Sequence, residues 1–237
     1  LIVDDQDRRL AELVSQNDRL FILTGAGCST ASGLGDYRDN NGQWKRAQPI
    51  TGQTFIQNEL ARKRYWARSS VGWPAFKEAQ PGLAHTALAS IEASNRLTVL
   101  VTQNVDRLHQ KAGHKNVIDL HGVLDVVRCL GCSKTEDRNH FQLRLITSNN
   151  WLANLSAEYA PDGDADLEID NIEDLIVPNC QICKGLLKPD VVFFGENVQK
   201  ETVVDAMKKL RASDALLVVG SSLMVYSGFR FCREAQK

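Results

Sequence analysis

The sequence predicts an α/β chain: an open, doubly wound parallel sheet with a smaller metal-pinned module set into it. Three observations predict this. Short apolar runs at residues 20–23, 97–101 and 215–219 have the length and branching of buried strands. Each run ends in a small or polar turn: Thr24-Gly25-Ala26-Gly27, Thr102-Gln103-Asn104-Val105-Asp106 and Gly220-Ser221-Ser222. Composition then shifts over residues 124–187, where two Cys-x-x-Cys pairs appear. In an open parallel sheet, ligands bind beyond the carboxyl ends of the strands. The three turns are therefore expected to meet at one crevice.

The elements follow in order. Residues 3–16 place Leu10, Leu13 and Val14 at helical spacing and read as an amphipathic helix packed on the sheet. After the strand at 20–23, Gly25 and Gly27 let backbone amides approach an anion closely. Residues 28–32 are small enough to open a helix whose N-terminus faces that anion. Together these suggest a phosphate cradle for a nucleotide, although a lone Gly-x-Gly is equally an ordinary strand-to-helix turn. Thr30 stands where a third dinucleotide glycine belongs, and residues 43–46 offer no acidic ribose anchor. An ordinary dehydrogenase is disfavoured. Residues 39–43 form a turn-rich loop, a lid or a plain surface loop.

Residues 54–68 read as helix, broken by Val71-Gly72-Trp73-Pro74. Tyr65, Trp66, Trp73 and Phe76 wall an apolar channel or make a local core. Residues 81–93 read as a helix with Leu83, Ala84, Ala87, Leu88 and Ile91 on one face. Gln103, Asn104 and Asp106 can read ligand hydroxyls and amides; capping of the helix at 107–112 explains one of them, not all three. His121 follows a short strand at 117–120. It is a candidate general base, though a lone histidine is more often structural. Residues 191–195 read as a buried strand, and 200–210 as a helix.

The chain has 237 residues, 43% of them hydrophobic and 24% charged, as in ordinary globular proteins. Its formal net charge of −1 argues against a nucleic-acid binder. No apolar run approaches a membrane span. The N-terminal LIVDDQDRRL has neither the regions of a signal peptide nor the composition of a transit peptide. Of the six cysteines, Cys129, Cys132, Cys180 and Cys183 form the two close pairs. Each pair can grip one corner of a tetrahedral zinc site, which suits them better than a disulfide or redox role. Cys28 and Cys232 read as packing residues. The acidic stretch 161–168 reads as a solvated loop rather than a calcium site.

Taken together, Gly25-Ala-Gly-Cys-Ser-Thr-Ala-Ser-Gly33, Asp36-Tyr37-Arg38, Gln103-Asn-Val-Asp106, His121-Gly122, the two cysteine pairs, Lys188-Pro-Asp-Val-Val-Phe-Phe-Gly-Glu196 and Gly220-Ser-Ser222 resemble the sirtuins, NAD-dependent protein lysine deacylases. Arg64-Tyr-Trp-Ala-Arg68, Val71-Gly-Trp-Pro74, Ala160-Pro-Asp-Gly-Asp164 and Val225-Tyr-Ser-Gly-Phe229 are similar to the class II branch holding mitochondrial sirtuin-four and its bacterial relatives. Residues 39–46 look more bacterial.

The resemblance implies a Rossmann-like domain, residues 1–124 and 190–237, with a zinc-ribbon module at 125–189 holding one structural zinc. NAD and acyl-lysine would enter the cleft between them. Gly25, Ala26, Gly27 and Ser29 would hold the pyrophosphate, and Asp36, Tyr37 and Arg38 would belong to the cofactor loop. Gln103, Asn104 and Asp106 would position nicotinamide and its ribose. Gly220, Ser221 and Ser222 would face the adenosine side. The peptide would add as a strand along Val192, Phe193, Gly195 and Glu196. The acyl oxygen would attack the ribosyl carbon as nicotinamide leaves. His121, with Asn104, would then serve transfer of the acyl group to ADP-ribose. Tyr65 and Arg68 resemble a pair that grips acidic acyl groups in class III members; the alternative is a surface ion pair for Arg68.

Leu34-Gly35 replaces the family's usual Ile-Pro, which leaves the cofactor loop less restrained. The family pattern also runs on past the position of Lys237, with a further strand and adenine contact. Acyl-lysine proteins are the expected partners, with no nucleic acid or membrane. A monomer in a bacterial cytoplasm is expected, the mitochondrial matrix being the alternative. Protein mono-ADP-ribosyl transfer and a non-catalytic NAD or ADP-ribose binding module stay open as other functions.

Overall fold

A computed structural model describes residues 5–36, 43, 49–155, 158–159, 165–166 and 171–237. Its first sheet has four parallel strands in the order β3-β2-β1-β9. These are β1 (Leu20–Thr24), β2 (Leu97–Thr102), β3 (Val117–Asp119) and β9 (Ala215–Val219). Phe21 pairs with Val99 on one side and with Leu216 on the other. Because β1 has a strand on each edge and elements on both faces, Leu20, Phe21, Ile22 and Leu23 are fully buried. That is why its sequence is continuously apolar rather than alternating. The chain moves outward from β1 to β2 and β3 and later crosses back to β9 on the other side of β1, so the sheet has a switch point between the carboxyl ends of β1 and β9. β9 is half-buried, not fully buried as its sequence implied, because it is the edge strand.

A second sheet is antiparallel, order β5-β4-β8, from β4 (Gly122–Cys129), β5 (Thr135–Asp137) and β8 (Leu187–Val191). The strand expected at 191–195 is thus displaced towards the N-terminus and belongs to this other sheet. Pro189 sits inside it, opposite Val127. The position is tolerated because β8 is an edge strand. A two-stranded ribbon of β6 (Glu158–Tyr159) and β7 (Ala165–Asp166) completes the strands.

The helices are α1 (Asp5–Gln16), α2 (Gly52–Gln57), α3 (Glu59–Glu78), α4 (Leu83–Ala93), α5 (Leu108–Lys111), α6 (Arg138–Ser148), α7 (Lys200–Arg211) and α8 (Tyr226–Ala235). Several depart from expectation. No residue of α1 is buried; only Val14 packs at the edge of the cluster containing Leu20 and Leu100. In α4, Leu88 is buried and Ile91 packs beside it as expected, but Leu83 is 87% exposed and the polar His85 is buried in the first turn. The segment 28–32 is not an α-helix but two single 3-10 turns, Ala26–Cys28 and Thr30–Ser32. No α-helix terminus therefore follows β1 directly at the crevice.

Most distinctly, α3 runs unbroken through Gly72 and Pro74. Pro74 has no N–H to give the Ser70 carbonyl one turn earlier. That carbonyl instead accepts from Gln142 Nε2 of α6 at 2.7 Å. Beside it, Arg138 is fully buried, donating to Gln142 Oε1 at 2.6 Å and lying over the Trp66, Trp73 and Phe141 rings. The α3 break was expected from local sequence; a side chain far along the chain cancels it. Among the described residues, no helix is long and apolar enough to cross a membrane.

Candidate functional site

The carboxyl ends of β1, β2 and β9 open into a cleft of about 940 Å³. The loops there are tied to one another. Gly25 N donates to Val219 O at 3.1 Å, and Gly27 N to Gly220 O at 2.8 Å. A Cβ on Gly25 would lie 2.8 Å from Gly220 O, so only glycine permits this approach. Gly220 itself has φ +63, and a Cβ there would meet Cys28 N at 2.4 Å. The buried Cys28 thiol points at Val219 O, and burial pushes its pKa up to about 11. It is a packing residue here.

The β2 loop reaches across to both neighbours. Gln103 Nε2 donates to Thr24 O at 3.1 Å and to Ser221 Oγ at 2.8 Å. Asn104 Nδ2 donates to Gly25 O and Ser29 Oγ, both at 3.1 Å. Ser29 Oγ donates to Asp106 Oδ2 at 2.6 Å, while Asp106 Oδ1 accepts from Leu108 N. Asp106 therefore caps α5, as the bland alternative held, and also holds the β1 loop. Gly25, Ala26, Gly27, Ser29, Asp36, Gln103, Asn104, Asp106, Gly220, Ser221 and Ser222 all reach the cleft. Tyr37 and Arg38 lie outside the described residues, as does most of the loop at 39–43.

His121 stands where the chain leaves the parallel sheet for the antiparallel one. Leu120 N donates to Thr102 O, and Val192 N donates to His121 O. Gly122 has φ +79, and a Cβ there would lie 2.0 Å from Asp190 O, so the turn that aims His121 requires glycine. Its Nδ1 lies 2.9 Å from Gln103 O and its Nε2 2.7 Å from Ser227 Oγ. A carbonyl can only accept, so Nδ1 carries the hydrogen of the neutral ring. Burial, helped by the nearby Arg230 charge, pushes the His121 pKa below its ordinary value against the pull of Gln103 O.

The outer wall is the segment after β8. Glu196 Oε2 accepts from Phe193 N at 2.8 Å and pairs with Lys188 Nζ at 3.0 Å. Lys188 also donates to Val191 O. Val192, Phe193, Gly195 and Glu196 line the cleft, and Tyr65 joins them with its ring edge-on to Phe193. Arg68, expected beside Tyr65, is half-buried and is not among the residues lining the cleft.

At the far end of β4, the Sγ atoms of Cys129, Cys132, Cys180 and Cys183 lie within 4.8 Å of one another. The closest approaches are 3.3 and 3.8 Å, too long for disulfides. Gly131 N and Gly185 N point at Cys129 Sγ and Cys183 Sγ. Four thiol donors in one small cluster, with amides turned to the sulfurs, fit a single tetrahedral zinc. The cluster and His121 stand at opposite ends of β4.

Three histidines that sequence reasoning treated as scattered form a buried line behind the cleft. His85, His109 and His114 are 0%, 1% and 5% exposed, with ring centroids 4.8 and 5.4 Å apart. His85 Nδ1 accepts from Gly82 N, so its Nε2 faces Ser29 Oγ at 3.5 Å. His109 Nε2 meets Thr24 Oγ1 at 2.9 Å. Burial first, then the neighbouring rings, pushes the His109 pKa down to about 3; burial also lowers His85. His85 and His109 are neutral in the fold and protonate on unfolding. Stability is therefore fully present above about pH 6.5, the unfolded value, and is lost as pH falls below it. The slope for His109 is about 1.4 kcal/mol per pH unit until its folded value is reached. Denaturant melts at pH 7.5, 6.5 and 5.5 should show falling midpoints; equal midpoints would refute neutral burial.

The profile of the Sir2 family matches residues 25–227. The chain belongs to the Sir2 family. Similar proteins include NAD-dependent protein deacetylase 2 of Bradyrhizobium diazoefficiens, 56% identical over 97% of this chain and 84% of its own length. An NAD-dependent protein deacetylase of Xanthomonas campestris is 58% identical over 96% of this chain and 78% of its own. Among solved structures, a Sir2 protein with a deacetylated peptide and 3′-O-acetyl ADP-ribose has TM-score 0.76 and 29% identity, covering 97% of this sirtuin and 82% of that chain. A Sir2 homologue in complex with ADP-ribose has TM-score 0.73 and 30% identity, covering 97% and 80%. Sequence reasoning about this sirtuin missed Ser227 and Arg230, both on α8 at the cleft. Ser227 lies within the quoted Val225-Tyr-Ser-Gly-Phe229 segment, which marked a branch of the family but no role, and Arg230 lies just past it.

Proposed function

We propose that this sirtuin is an NAD-dependent protein lysine deacylase that moves the acyl group from lysine to ADP-ribose and releases nicotinamide. The observation that carries the reading is the neutral His121 imidazole, fixed by the Gln103 carbonyl at the carboxyl ends of the strands, in the same cleft as the Gly25–Gly27 loop. The relatives named as NAD-dependent protein deacetylases support it.

NAD, as co-substrate, supplies a ribosyl carbon that accepts the acyl oxygen once nicotinamide departs. The chain's own residues do the rest. Gly25, Ala26, Gly27 and Ser29 present a small-residue loop at the cleft, which suits a pyrophosphate, and Asp36 lines the same cleft; the family pattern adds Tyr37 and Arg38 as cofactor contacts. Gln103, Asn104 and Asp106 hold the nicotinamide side, and Gly220, Ser221 and Ser222 the adenosine side. His121 takes a proton from a ribose hydroxyl, with Asn104 positioning that sugar. Cys129, Cys132, Cys180 and Cys183 hold zinc remote from the chemistry. The peptide lies along Val192, Phe193, Gly195 and Glu196. The division into residues 1–124 with 190–237, and 125–189, is proposed as two units on either side of the cleft. The protein acts as a cytoplasmic monomer on acyl-lysine proteins, with no role for nucleic acid or membrane.

Tyr65 at the cleft wall supports an acyl contact; the placement of Arg68 does not support an acidic one. Mass spectrometry of acetyl-, succinyl- and glutaryl-lysine peptides with NAD tests both points. Acetyl-lysine should turn over fastest, with free lysine, nicotinamide and O-acyl-ADP-ribose in equal amounts, and Arg68→Met should leave the ranking unchanged. A succinyl or glutaryl preference that collapses in Arg68→Met would restore the acidic reading. NAD label on a protein acceptor without deacylation would instead mean ADP-ribosyl transfer.

A further inference from the structure

We propose that Ser227 is a positioning residue for His121: its hydroxyl occupies the one ring nitrogen that must receive the substrate's proton and holds that nitrogen ready through both protonation states. The inference deepens the deacylase reading and rests on His121 being the base. It stands on three contacts. Nδ1 of His121 is taken by the Gln103 carbonyl, which leaves Nε2 as the only basic site of the neutral ring. Ser227 Oγ lies 2.7 Å from that nitrogen. The next residue, Gly228, is pressed so closely on Gln103 that a Cβ would lie 2.5 Å from Gln103 Oε1. Gln103 thus fixes the ring from below through its carbonyl and the start of α8 through its side chain, which sets Ser227 over the ring.

A serine hydroxyl suits this place because it both donates and accepts. Towards neutral His121 it donates to the Nε2 lone pair. When substrate binds, the Ser227 O–H turns off Nε2 and leaves its lone pair to the ribose hydroxyl; when that hydroxyl gives up its proton, Nε2 gains it and the Ser227 oxygen accepts from the new Nε2–H. No atom of Ser227 is consumed, and the proton ends on the ring. The second hydrogen bond is charge-assisted and the stronger of the two. Ser227 therefore favours the protonated ring, which is the state the proton transfer creates. Other groups facing the ring do not supply this. Arg230, one turn on along α8, opposes the positive charge. From the β2 side, Asp106 is committed to Ser29 and Leu108 N. From the segment after β8, Glu196 is committed to Phe193 N and Lys188.

Three variants test this: Ser227→Ala, Ser227→Thr and His121→Ala. Each is assayed for deacylation against pH and for exchange of labelled nicotinamide into NAD with an acyl-lysine peptide present. Exchange reports the step before His121 acts, so it shows that cleft and cofactor loop are intact. Ser227→Ala should lower kcat for deacylation about ten- to a hundredfold, move the acid limb of kcat/KM to lower pH, and leave exchange and the KM for NAD near the parent values. Ser227→Thr, which keeps the hydroxyl, should restore most of kcat and the parent acid limb. A Ser227→Ala enzyme with parent kcat and an unmoved acid limb, beside an inactive His121→Ala, would overturn the inference and leave the base assignment standing. Equal loss of exchange and deacylation in Ser227→Ala would also overturn it, since the residue would then only hold the helix. An active His121→Ala would remove the reading beneath both.

Discussion

His121→Ala should abolish nearly all deacylation, with a loss on the order of 10²–10⁴-fold, while the thermal midpoint changes little. The ring makes two hydrogen bonds, to Gln103 O and Ser227 Oγ, and both partners remain near the cleft surface where water can replace it. The parent enzyme should lose activity in acid only below the ordinary histidine range, because burial disfavours the charged ring. Rate against pH for the parent, and rate with melting temperature for the variant, are the measurements. Normal turnover by a folded His121→Ala protein would sink the assignment.

Cys129→Ala should destabilise the chain severely and release zinc, as should a strong chelator acting on the parent. The four sulfurs close the end of the antiparallel sheet, joining the turn after β4 to the turn before β8. Without a metal, four thiols crowd within 4.8 Å beside the apolar cluster that holds Cys129 and Cys180, with no disulfide joining the two turns. Structural zinc supplies apparent binding energy of about 10–16 kcal/mol in small peptides, which is folding free energy. Metal content by atomic spectroscopy and melting by circular dichroism check this. A cooperative, zinc-free Cys129→Ala with a parent-like melting point would refute it.

The parallel strands were readable because their causes are local. Residues 20–23 are apolar throughout since β1 is covered on both faces, and the chemistry-bearing turns follow their strands directly in sequence. The cysteine pairs were readable because ligand spacing is itself local. What failed was set by distant partners. Gly72 and Pro74 announce a break in α3, and nothing nearby says that Gln142 repairs it. Pro189 argues against a strand unless β8 is known to be an edge. The first turn of α4 buries His85, a polar residue turned inward to Ser29. His109 and His114 come from a helix and a loop that meet His85 only in space. Ser227 has its meaning only once α8 lies against Gln103.

The repaired turn of α3 has a wider effect. Its Ser70 carbonyl is satisfied by Gln142 of α6, so the long helix is complete only while α6 is docked. Tyr65, one turn before the repair, forms part of the cleft wall. Loosening α6 would thus reach the cleft wall through this shared rod, from residues that line no part of the cleft themselves.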